Sequence, residues 1–326
     1  MTAILGGLAA AVLWATATLA SSRSSRMIGS RVVLAWVMIV GTIVGLPVAV
    51  ATGVPRDVSP DALPLLVLAG VCYSAGLYAT YKALTIGKVS IIAPIVATEG
   101  AVGAIIAVAL GDTLALTAAA LLGVIAVGVV LAAIEPARPD VPAGDIELAA
   151  DALDGPATTS EMAARSDAKA SAQARIDVHL ANDADEAART RKAAAFAVAA
   201  ALIFGVGLVS AGKAALLVPP IWVSVSSRVI GLGIVALPLI LQRRLTLTRR
   251  TLPLVVVAGI GEVIGSTAAA WGATYSIPIS AVLGSQFAAI AAVVAFVLFG
   301  ERLSRSQMAG VVLIVGGVTA LAASSV

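Results

Sequence analysis

Four ionisable side chains stand inside long apolar runs of this 326-residue sequence: Lys82, Glu99, Arg228 and Glu262. A charge among apolar residues is costly, by about 2.5–3.5 kcal/mol for Lys, Arg or Asp on membrane-insertion scales. Such groups pair with one another, bond backbone carbonyls or line a water-filled path. Arg228 and Glu262 suit a buried ion pair, and Arg228 equally suits a structural arginine bonded to carbonyls. Glu99 has no partner within its own segment. It fits either a pair with Lys82 or a working carboxyl group that takes up a proton or a cation. Lys82 lies one turn from the end of its segment, where its long side chain can also reach outward. Tyr73, Gln286 and Trp271 are the polar and aromatic groups that complete this candidate set, with Tyr78, Tyr81 and Ser285 nearby. Trp and Tyr also settle at membrane interfaces, which is the competing reading for Trp14, Trp222 and Tyr275.

Other chemistry is thinly represented. The sole cysteine is Cys72, so neither an intramolecular disulfide nor a cysteine metal cluster can form. The sole histidine, His179, lies in a polar stretch, which removes imidazole relays from the apolar segments. No Gly-x-x-x-x-Gly-Lys-Ser/Thr occurs, so ATP-driven pumping by this chain alone is not expected. No nucleophile–base pair stands out in the apolar runs, and we expect no enzyme and no cofactor. A net charge of +3 is too small to point to nucleic acid.

The elements that must position these groups follow from composition. Hydrophobic residues make up 60% of the chain, charged ones 12%, and the mean hydropathy is +1.04. A water-facing surface cannot be built from so few charges, so most of this surface faces a lipid bilayer. Crossing about 30 Å of hydrocarbon takes about 20 helical residues. Ten apolar segments approach that length: 3–20, 32–52, 63–86, 89–110 and 116–134, then 193–210, 219–241, 252–275, 279–299 and 308–323. Lipid offers the backbone no hydrogen-bond partner, so each is expected to be a helix. The start of the chain is apolar without a preceding basic stretch, which reads as a first span rather than a cleaved signal.

Residues 135–192 differ in kind. They hold twelve acidic and seven basic residues and no aromatic one. Such a stretch cannot bury enough apolar surface to offset its ordering entropy, so a disordered, solvated linker is expected. The segments on either side resemble each other. Residues 63–70 read LPLLVLAG and 252–259 read LPLVVVAG. At the same offset of 189, Gly76 meets Gly265, Gly111-Asp112 meets Gly300-Glu301, and Gly128 meets Gly317. Leu46-Pro47 meets Leu237-Pro238 after a shift of two. Five spans per copy is an odd number, so the copies must enter the membrane in opposite directions. The expected layout is all-α, with repeats at 1–134 and 193–326 around the linker. Inverted repeats are a frequent plan of secondary transporters, whose sites lie near the midplane between the copies. None of the four buried charges is duplicated, since Lys82 aligns with Trp271, Glu99 with Ala288, Glu262 with Tyr73 and Arg228 with Val37.

The pattern resembles the drug/metabolite transporter superfamily, as two tandem EamA-type repeats. Ala10–Trp14 and Ala200–Phe204 open the halves, Arg228 sits in the seventh segment, and Gly300-Glu301-Arg302-Leu303 precedes the last. Gly111-Asp112-Thr113-Leu114 is the first-half version and departs at two positions. The resemblance implies a multi-pass cell-membrane protein that moves amino acids, metabolites or drugs, commonly by efflux. It leaves room for a homodimer and for proton coupling. The competing class is a membrane scaffold or receptor that signals through the linker.

Orientation rests on basic loops. Loops after odd-numbered segments hold Arg23, Arg26, Arg31, Lys88, Arg243, Arg244, Arg249, Arg250, Arg302 and Arg305, and the even loops only Arg56 and Lys213. That bias puts the odd loops and the linker in the cytoplasm and both termini outside. The family resemblance implies the opposite, with termini inside.

Overall fold

An apolar helix satisfies its own backbone and needs only small residues on one face to meet its neighbours closely. The structure, a computed structural model, describes residues 1–55, 58–87, 89–133 and 188–287, with 290, 305, 308–310, 312–313, 316–317 and 320 beyond them. The expected linker, apart from its last residues, more than half of the ninth segment and half of the tenth lie outside these. Contacts divide the chain into one unit of Met1–Glu135 with Lys192–Val326 and another of Pro136–Arg191. Among the described residues there are helices and turns but no strand.

Among the described residues, six helices are long and apolar enough to cross a membrane. They are α1 (Thr2–Ile28), α2 (Ser30–Ala51) and α3 (Ala62–Ile86), then α7 (Ala188–Ala214), α8 (Pro220–Leu241) and α9 (Leu252–Ala273). These are the first three segments of each half. The others are shorter: α4 (Val89–Ala97), α5 (Glu99–Ala109), α6 (Leu116–Ala133) and α10 (Ile277–Gly284). Of the ten expected spans, the described residues thus show six helices of spanning length, while the other four are shorter there or lie partly outside them.

Three boundaries differ from the apolar pattern, each for a physical reason. Helix α1 runs on to Ile28, past the apolar stretch, because Ser21, Ser22, Ser24 and Ser25 are small enough to bury against neighbours. The Ser24 hydroxyl donates to the carbonyl of Ala20 at 2.9 Å, so its polarity is absorbed within the helix. Only Gly29, at φ 87°, separates α1 from α2. The fourth segment is interrupted. The Thr98 amide and hydroxyl both donate to the carbonyl of Ile95, at 3.2 and 2.7 Å, and this tight turn makes Glu99 the first residue of α5. The ninth segment breaks near the equivalent place, where Ser285 and the Gln286 side chain both donate to the carbonyl of Val282, at 2.8 and 2.9 Å.

Helix directions follow from named contacts. Arg26, near the end of α1, donates to the carbonyls of Leu84 and Gly87 at the end of α3, so α1 and α3 are parallel. Gly6 of α1 lies against Ala268 and Gly272 of α9, while Leu13 meets Gly261, so α9 runs antiparallel to α1. The Trp36 indole at the start of α2 donates to Thr246 beyond α8, and that of Trp222 at the start of α8 donates to Gly53 beyond α2, both at 2.9 Å. The repeat-related helices α2 and α8 thus cross the molecule in opposite senses, as do α3 and α9.

The repeated glycines now have a physical role. A Cβ on Gly76 would lie 2.7 Å from the Phe204 ring, and one on Gly265 would lie 2.9 Å from the Trp14 ring. Each third helix leaves a gap that seats the aromatic residue of the other half's first helix. Gly70 and Gly259 repeat the arrangement, seating Ile230 and Val40 respectively.

Candidate functional site

Where α1, α3, α7, α8 and α9 converge with the two interrupted segments, their small residues cannot fill the space. A cavity remains, with about 930 Å³ of empty volume including the open solvent at its mouth. Tyr73, Glu99 and Glu262 line its middle, and Trp14 and Phe204 supply matching aromatic walls from the two halves. From there it extends past Ala211, Gly212, Ala273 and Ile277. These lie towards the end of α7 and α9 and the start of α10, on the face where α1 begins.

A polar cluster is packed against this wall. The Arg228 Nη2 donates to the Glu262 carbonyl at 2.7 Å and to the Ser266 hydroxyl at 2.9 Å, and lies 3.8 Å from the Glu262 carboxylate. Its guanidinium carbon stands 4.2 Å from the centre of the Tyr73 ring, a cation–π contact that faces its other nitrogens with π density. The Tyr73 hydroxyl donates to the Glu262 carboxylate. Gly41 makes room for all this, since a Cβ there would fall 2.9 Å from Cδ of Arg228. Arg228 has 0% exposure and does not line the cavity. It holds Glu262 in place from behind. Tyr73 and Glu262 are repeat-related positions, 189 residues apart, and they touch because α3 and α9 meet across the symmetry axis.

Glu99 is different. It is 5% exposed, lines the cavity, and forms no hydrogen bond or ion pair among the described residues. It is close enough for the charge of Glu262 to act on it. Its position follows from the interruption at Thr98, which starts α5 with a carboxylate turned to the cavity.

The remaining residues singled out from the sequence lie elsewhere. Gln286 is buried, but its amide is turned back onto α10 and it does not line the cavity. Trp271 is 44% exposed and packs edge-on against Tyr275 away from the cavity. Lys82 is half-buried, also off the cavity wall, and makes no pair with Glu99. Helix geometry explains both: nine residues at about 100° each carry Lys82 to the side of α3 opposite Tyr73. The same nine residues separate Trp271 from Glu262.

Ser224, Ser227 and Ser266 were missed in the sequence, because a serine in an apolar helix ordinarily bonds its own backbone. Ser224 instead donates across to the Val263 carbonyl at 3.0 Å and lies 2.5 Å from the Ser266 hydroxyl. The available signal was spacing. Ser224 and Arg228, like Glu262 and Ser266, are four apart and share a helix face.

The model of the EamA-like transporter family matches residues 1–134 and 191–323. A crystal structure of another protein shares the fold, with a TM-score of 0.67, 20% sequence identity, and coverage of 98% of this chain and 96% of the other. No curated protein matches the sequence.

Proposed function

The chain belongs to the EamA-like transporter family, and from that premise we propose that it is a secondary transporter exporting a small polar solute across the cell membrane. In this reading ten spans form two inverted repeats, 1–134 and 193–326, joined by the 135–192 linker. The two halves rock about the cavity, exposing it to one side and then the other.

One observation carries the reading. Two carboxylates and a sequestered arginine converge, away from lipid, on a cavity walled by both halves. Buried charges are costly in a membrane protein, and their placement on a cavity between the halves favours a transport route over a scaffold. The interruption at Thr98 and the one at Ser285 add to it. Broken spans at corresponding positions of two repeats are the arrangement with which transporters expose binding groups at mid-membrane. With the basic loops in the cytoplasm, the Met1 face, towards which the Ala211 end of the cavity lies, is the outer one.

Purified protein in sealed vesicles tests this directly. A panel of labelled amino acids, nucleosides, sugars and organic cations is expected to contain at least one solute with saturable, protein-dependent flux. That flux should survive deletion of most of residues 140–185. Absence of flux across the panel, from protein shown to be folded, would contradict the proposal.

A further inference from the structure

The accessible face of the cavity carries charge of one sign only. Arg228 is the nearest source of the second sign, and with it of a place for a zwitterion's carboxylate. Its guanidinium, however, has no exposed surface: it is spent on Glu262, Ser266 and the face of Tyr73. Among the described residues, no lysine or arginine lines the cavity. Arg228 also balances one carboxylate, that of Glu262. Glu99 is left as a buried carboxyl group without a counter-charge, turned into an aromatic-walled space. Thr80 and Tyr81, lining the same space, have buried hydroxyls without a hydrogen-bond partner among the described residues.

We propose that Glu99 anchors a subsite for an organic cation, so that the transported solute is a monovalent amine or quaternary ammonium compound and not an amino acid. The cation pairs with the Glu99 carboxylate while Trp14 and Phe204 offer ring faces to its alkyl or aryl body. Glu262, held by Arg228 and Tyr73, adds negative potential without being the contact. A solute carrying a carboxylate would bring a second anion towards Glu99 and Glu262 with no accessible cation to receive it. This assignment rests on the transporter reading for its direction of movement, but binding can be measured without it.

The test is thermal stabilisation of the full-length protein in detergent by matched aromatic probes. These are phenyltrimethylammonium and 2-phenylethylamine as cations, 2-phenylethanol as the neutral analogue and phenylalanine as the zwitterion. The cations are expected to raise Tm saturably, and the neutral and zwitterionic probes are not. Glu99→Gln should weaken the apparent affinity for the cations at least about tenfold. Glu99→Asp should retain most of it, and the Tm of each variant without probe shows that it is folded. Equal stabilisation by phenylalanine or phenylethanol, no stabilisation by the cations, or a cation effect that persists in Glu99→Gln would each overturn the proposal. Cation binding through Glu99 with no flux of any solute would uphold the subsite and retire the transporter reading. Flux of a zwitterion indifferent to Glu99→Gln would do the reverse.

Discussion

Arg228→Met is expected to cost about 3–5 kcal/mol of stability, the largest effect of any single substitution among the site residues. The guanidinium is fully buried, bonded to a carbonyl and a hydroxyl, ion-paired at 3.8 Å with a carboxylate, and stacked on Tyr73. Removing it strands Glu262 as a buried, uncompensated charge. Methionine fills similar volume, so the loss should report the charge rather than a cavity. The double variant Arg228→Met with Glu262→Gln should recover a substantial part, because the orphaned charge goes with its partner. Arg228→Lys should fall between, since an ammonium has neither the flat face for Tyr73 nor the fork for two acceptors. Denaturation of detergent-solubilised protein, run as a double-mutant cycle, checks all three. If the single and double variants are equally unstable, the pair is not what holds Glu262.

Glu99→Gln is expected to leave stability unchanged or slightly raised while reducing flux at least about tenfold, equivalent to about 1.4 kcal/mol of lost interaction. The two effects diverge because Glu99 has no protein partner to lose among the described residues. Glutamine keeps its shape and removes a buried ionisable group that has no counter-charge. Should a proton share this carboxyl group with the solute, the dependence of flux on an imposed pH gradient would vanish in the same variant. Flux measured beside Tm in reconstituted vesicles separates a working carboxylate from a structural one. A parallel fall in both would assign Glu99 to the fold.

Much of this architecture is visible in the chain before any coordinates. Composition dictates apolar helices, and the offset of 189 dictates two related halves. The opposition of α2 and α8 then follows from an odd number of spans. Helix ends were less legible, because an apolar pattern marks where a helix is greasy and not where it stops. The serines of α1 continue the helix under cover of neighbours, and the turn at Thr98 ends one inside an unbroken apolar run. Charges in apolar segments pointed to Glu99, Glu262 and Arg228, yet sequence alone could not assign partners. That Tyr73 would touch its own repeat counterpart Glu262 depends on where the symmetry axis passes. Lys82 was grouped with them as a charge in an apolar run and Trp271 as an aromatic group, although helical angle sends both to the opposite face. The repeated glycines are visible in the sequence as matches between the halves, and only the opposite half shows what Gly70, Gly76, Gly259 and Gly265 seat.

The central claim is that this cavity is exposed to both sides of the membrane in turn. Ala211 lines it on the Met1 face, half-buried on α7, and Cys72 is the only native cysteine. In a Cys72→Ala background, Ala211→Cys is to be labelled with a membrane-impermeant maleimide applied to either face of sealed, uniformly oriented vesicles. The account predicts labelling from both faces, with a transported cation shifting the ratio between them. Labelling confined to the Met1 face, with and without the cation, would contradict it.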